Sequence, residues 1–168
     1  MRLVRIGWLA WLLVGTGAVQ ASEVWTGWVR WVMDGDTVLV VREGQREPVK
    51  LRIDGIDAPE SCQPGGEASR DAMMRMALRK TVQVVDVGRD VYGRHIGRLS
   101  IDGVDLGAEM VRSGMAWAYR FRTGKGPYAG LQRQAQKQKT GLFGASQSAM
   151  SPPLFRKFHG TCHGHSAP

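Results

Sequence analysis

Two short stretches hold most of the carboxylates that could do chemistry. Asp34-Gly35-Asp36-Thr37 sets two acids around one glycine, and the run from Arg52 to Glu60 carries Asp54, Asp57 and Glu60 behind an arginine. Unpaired acids at this density repel, which raises their pKa values and costs stability. A bound cation removes that conflict. The donors are oxygens, with no His in either stretch and only Cys62 just beyond. Such donors select a hard cation, Ca2+ before Mg2+. On the acids alone, simple turn residues capping strands explain the pattern about as well.

Two arginines change that balance. Arg52 stands on the polar side of an alternating run, and Arg94 ends a Tyr-Gly-Arg turn. A guanidinium binds phosphate with two prongs and stays charged at any working pH. Either arginine alone is more often a surface ion-pair partner. A cation, two arginines and a spare carboxylate together are the parts needed to hydrolyse a phosphodiester. The positive groups offset charge growing on the phosphorus oxygens, and the carboxylate takes a proton from water.

These residues must be positioned by strands. Val24 to Val32 reads as a strand rich in Trp and Val, Asp34-Gly35-Asp36 as a turn, and Thr37 to Arg42 as a second strand. After a polar turn, Val49, Leu51 and Ile53 alternate with Lys50, Arg52 and Asp54, a period-two pattern. Asp54 reads as a solvated strand-face acid. Glu67 to Lys80 is expected to be a helix, with acids near its start and Arg79 and Lys80 at its end, as the helix dipole favours. Its methionines read as core filling. Strands follow at Thr81 to Val87 and Ile96 to Ile101.

Asp105 is placed to cap a short helix ending near Ser113, with Gly114 just after it. Ala116 to Arg122 is extended and aromatic, and Tyr128 to Lys139 is a last helix. Trp25, Trp28 and Trp31 are expected to pack the barrel rather than stack on bases. The order predicts an α+β fold: a small five-stranded β-barrel with about three flanking α-helices. Residues 145–168, rich in Ser, Pro, Gly and His, are expected to form a tail without a core, flexible or tethered by a disulfide. Its histidines fit no strong zinc spacing.

Composition adds a compartment. Arg2 and Arg5, the apolar run from Ile6 to Ala18 and the small residues ending at Ala21 read as a signal peptide over residues 1–21. The run is too short for a spanning helix. The expected location is periplasmic or secreted, with no membrane attachment after cleavage. The remaining chain suits one domain, residues 22–144, and a monomer is the default. All 15 acids lie between Glu23 and Glu109, while nine Lys or Arg and no acid follow Met110. The acidic-leaning part suits a cation and the basic part a polyanion. Cys62 and Cys162 are the two cysteines, an even count that permits one bridge in an exported protein.

The chain resembles the thermonuclease (staphylococcal nuclease-like) family from Val32 to about Gly144. The resemblance rests on DGDT at 34–37, RIDGIDAPE at 52–60, GEAS at 66–69 and YGR at 92–94, in that order. It implies an OB-fold barrel and a Ca2+-dependent endonuclease that hydrolyses DNA and RNA, single-stranded or locally unpaired, leaving 3′-phosphate ends. By motif position it implies Asp36, Asp57 and the Ala58 carbonyl as calcium ligands, with Asp34 and Thr37 around them. Glu60 matches the general base, Arg52 and Arg94 the phosphate-binding catalytic arginines, and Tyr92 and Tyr119 the edge of the nucleotide pocket. Val91 and Phe121 depart from the family pattern, which bears on end-phosphate affinity and the endo/exo balance. The alternative is a non-catalytic OB-fold module that binds nucleic acid or a partner protein.

Overall fold

The structure, a computed structural model, describes residues 22–120, 126–144 and 150–162. The signal peptide expected over residues 1–21, and Phe121, His163 and His165, fall outside these residues. Strands β1 (Glu23–Val32), β2 (Thr37–Arg42) and β3 (Pro48–Ile53) form an antiparallel meander. After β4 (Ile56–Asp57) and α1 (Gly66–Ala77), strands β5 (Thr81–Arg89) and β6 (His95–Ile101) continue the sheet on the other side of β1. Parallel pairing of β3 with β6 closes the five-stranded barrel. Short β7 (Val104–Asp105) leads into α2 (Leu106–Arg112), β8 (Trp117–Ala118) pairs with β4, and α3 (Ala129–Lys137) follows.

Inward side chains of the strands, among them Val29, Val38, Val40, Leu51, Ile53, Val84 and Leu99, are fully or almost fully buried. Met73 of α1 and Met110 of α2 join the same core, so the methionines act as filling. Asp105 caps α2 as expected, its carboxylate accepting from Ala108 N–H at 3.1 Å. Gln132 of α3, buried, accepts from Ala118 N–H at 2.6 Å and so fastens the β8 end of the chain.

Three expectations are corrected. Helix α1 ends at Ala77 rather than Lys80. Leu78 turns extended, and Arg79, at φ 60°, donates its N–H to Val29 O. Pairing with the barrel outcompetes the last helical turn. The tryptophans divide as well: Trp25 is buried, but Trp28 and Trp31 are exposed. Trp28 is out of phase with the inward series of Trp25, Gly27 and Val29. Trp31 would be in phase, but a register shift between Val29 and Trp31 turns Val32 inward instead.

The third correction is the tail. Its described part holds a further helix, α4 (Pro152–His159), making four helices among the described residues. Phe155 is buried and stacks on His159 at 4.6 Å between ring centroids. Cys62 and Cys162 are joined in a disulfide, as the even count allowed.

Candidate active site

Register across the barrel gathers the first part of the site. Thr37 lies directly opposite Arg52 in the β2–β3 pair, so the residue just before β2 and the arginine on β3 share one rim. Asp36 O accepts from Ile53 N–H at 2.7 Å, which fixes the DGDT turn against that strand. Gly35 is required here by space. A Cβ on it would fall 1.9 Å from Ser69 Oγ and 2.9 Å from Ala58 Cβ. Gly66 packs similarly, since its Cβ would lie 2.0 Å from Glu60 O. The motif glycines and Ser69 therefore lock α1 against both acidic loops.

Asp36 and Asp57 are almost completely buried. Arg52 binds both, with Nη1 3.1 Å from Asp36 Oδ2 and Nη2 2.9 Å from Asp57 Oδ1. Asp36 also accepts from Thr37 Oγ1 at 2.8 Å and from Ala58 N–H at 2.9 Å. Asp34 accepts from Asp36 N–H at 2.9 Å. Burial pushes the Asp34 carboxyl up to about 8, and the neighbouring Asp36 charge adds to the rise. For Arg52, burial alone would lower its pKa, but the charges of Asp36 and Asp57 outweigh it and hold the guanidinium more firmly protonated. Asp54, by contrast, lies just past the end of β3, partly exposed rather than fully solvated, with Arg98 at 3.9 Å.

Glu60 is tied to this group by a residue that sequence reasoning missed. Arg156 of α4 sets Nη2 2.9 Å from Asp57 Oδ2 and Nη1 2.9 Å from Glu60 Oε1. Burial again works against its charge, while bonds to Asp57 and Glu60 raise its pKa overall. Gln63 was missed too. It is buried, accepts from Glu60 N–H at 3.3 Å, and reaches Met150 O with its side-chain amide. One signal for α4 was legible: Ser151-Pro152-Pro153 is a helix start, and Arg156, Lys157 and His159 are a basic end.

Arg94 stands apart from the carboxylates in its bonding. Its Nε is 2.7 Å from Asp90 Oδ2, and its backbone N–H also donates to Asp90. With Lys50, Arg89, Tyr92 and His95 it lines an open groove of about 380 Å3. Tyr92 is 81% exposed, and the Arg94 guanidinium lies 5.6 Å from its ring centre. Tyr119 is half-exposed at the end of β8 and is held through its backbone to Gly55 O. The structure thus brings Asp34, Asp36, Thr37, Arg52, Asp57, Ala58 and Glu60 together, and sets Tyr92 and Arg94 in the neighbouring cationic groove.

The donor chemistry fits a hard cation. The side chains that could ligate a cation here, Asp36 and Asp57, offer carboxylate oxygens, the donor type a hard cation takes, while Arg52 and Arg156 already lie against them. Among the described residues no group of three or more His, Cys, Asp or Glu side chains could hold a metal ion. Side chains would therefore give two ligands, Asp36 and Asp57, leaving the rest to a peptide carbonyl and water.

Residues 50–144 match the family described as staphylococcal nuclease homologue. The chain is 40% identical over 113 residues to an uncharacterized endonuclease of Escherichia coli O157:H7, covering 67% of this chain and 72% of that one. It is 34% identical over 152 residues to a micrococcal nuclease of Shigella flexneri, covering 83% and 85%. Protein ParB of Escherichia coli is 34% identical over 153 residues, again covering 83% and 85%. The chain belongs to the staphylococcal nuclease homologue family, and its closed barrel with flanking helices is the α+β fold expected of it.

Proposed function

We propose that this family nuclease is exported, acts as a monomer, and hydrolyses phosphodiester bonds of DNA and RNA in a calcium-dependent reaction. The observation that carries the reading is the shared cluster: one guanidinium on both buried acids, Asp36 and Asp57, with Glu60 one further guanidinium away. The nuclease names of the relatives support the substrate class.

Asp36, Asp57 and the Ala58 carbonyl would hold the calcium ion, whose charge would offset that growing on the phosphate oxygens. Glu60 takes a proton from the attacking water as the new bond to phosphorus forms. The bond from phosphorus to the 5′ oxygen breaks, the departing oxygen takes a proton from solvent, and a 3′-phosphate remains. Arg52 and Arg94 hold the phosphate oxygens as their charge grows. Tyr92 and Tyr119 border the base, an arrangement that favours unpaired strands because a free base offers its face for stacking. Asp34 and Thr37 hold Asp36 in place.

Cleavage of single-stranded DNA by the full chain without residues 1–21 tests this. Calcium should support cleavage to 3′-phosphate ends, and chelation should abolish it. Glu60→Gln should lower kcat by about a hundredfold or more. Full activity in chelator, or in Glu60→Gln, rejects the mechanism.

A further inference from the structure

We infer that α4 is a built-in latch, in which Arg156 occupies the carboxylates that the cation and the attacking water need. The inference rests on the functional reading above for the roles of Asp57 and Glu60. Its own basis is where the guanidinium sits. Arg156 reaches both oxygens of Asp57, at 2.9 and 3.3 Å, and Glu60 Oε1 at 2.9 Å. Unlike Arg52, which bonds Asp36 and Asp57, Arg156 bridges Asp57 and Glu60, the acids needed by the cation and by the attacking water. The guanidinium supplies the positive charge that a cation would otherwise supply, so cation and Arg156 compete for Asp57.

The helix is held where that competition counts. Phe155, next to Arg156, is buried. Gln63, three residues after Glu60, bonds Met150 just before the helix. The disulfide from Cys62 to Cys162 fastens the chain just after the helix to the loop carrying Glu60, across 100 residues of sequence. Anchors on both sides of α4 raise the effective concentration of Arg156 at the site. The tether also keeps the helix close once Arg156 has been displaced, so the latch can close again when the cation leaves.

Calorimetric titration with Ca2+, without nucleic acid, separates the outcomes. The proteins are the wild type, Arg156→Gln, and a Cys62→Ser/Cys162→Ser double variant, each also assayed on single-stranded DNA. Arg156→Gln should bind Ca2+ about tenfold more tightly, the size of an ordinary coupling between two competing groups. The double variant should show a gain of the same sign but smaller. The metal-free Arg156→Gln protein should melt lower than wild type and gain more from added Ca2+. Equal Ca2+ affinity in wild type and Arg156→Gln overturns the latch while leaving the calcium reading intact. So does equal affinity with reduced cleavage, which would make Arg156 a phosphate-binding group. No Ca2+ binding by any of the three overturns the calcium reading and the latch with it.

Discussion

The two sides of the candidate site are built differently. On the carboxylate side, Asp36 and Asp57 are nearly inaccessible, and their oxygens are bonded to Arg52, Arg156, Thr37 and the Ala58 amide. On the groove side, Tyr92 is almost fully exposed and Arg94 is held mainly by Asp90 in its own loop. The first side is fixed by barrel register and by glycines that admit no Cβ. The second is a surface loop with solvent around it. A cation and an activated water need fixed geometry, because misplaced charge loses most of its effect. A polymer of varied sequence needs a surface that adapts. Under the proposed function, the cation and the water-activating acid fall on the rigid side, and substrate contact, including one transition-state arginine, falls on the open one.

Removing Arg52 should give the largest effect on stability. Arg52→Ala leaves Asp36 and Asp57 buried without the guanidinium between them, a loss of about 3 kcal/mol or more by denaturant unfolding. Calcium should restore part of it. Unchanged stability would mean the carboxylate side is not held by that bridge.

Arg94→Ala sharpens the comparison from the other side. Cleavage should fall about a hundredfold, as for loss of one transition-state donor. Stability should change by about 1 kcal/mol or less, because the partly buried Arg94–Asp90 pair is local to one loop and Asp90 keeps its bonds from the N–H groups of residues 92 and 94. A large drop in melting temperature would place Arg94 with the rigid half instead.

How much of this was legible in the sequence differs between the same two sides and the tail. The acids and arginines could be singled out because their residue types are informative and their strands alternate cleanly. Barrel closure needed only the order of elements. The end of α1 could not be read, because Arg79 and Lys80 suit a helix end as well as they suit the turn into β5. What decided it was a bond to Val29, some fifty residues away in sequence. Trp28 faces outward by simple alternation from Trp25, whereas the position of Trp31 depended on a register shift that no local pattern encodes. Arg156 was hidden for the same reason: its partners lie nearly a hundred residues earlier. The cysteine pair, by contrast, was legible from its even count, and it now links the tail to the acidic loop.

A smaller effect is expected from pH. The Asp34 carboxyl titrates near 8 in the folded chain against 3.8 for the free side chain. The folded state therefore holds a proton that the unfolded state releases. The stability this contributes is complete below about pH 4 and is lost as pH rises toward 8. In chelator, Asp34→Asn should keep the bond from Asp36 N–H yet show a flatter decline of melting temperature over that range. An identical decline in both proteins would contradict the assignment.

The split between a cation side and a substrate side is tested most directly by Ca2+ affinity, measured by calorimetry without substrate, in Asp57→Asn and Arg94→Ala side by side. The prediction is that Asp57→Asn loses Ca2+ binding by about a hundredfold or more, since a charged ligand is replaced by a neutral one, while Arg94→Ala binds as the wild type does. Retained affinity in Asp57→Asn, or equal losses in both, would contradict the division of the site into a cation side and a substrate side.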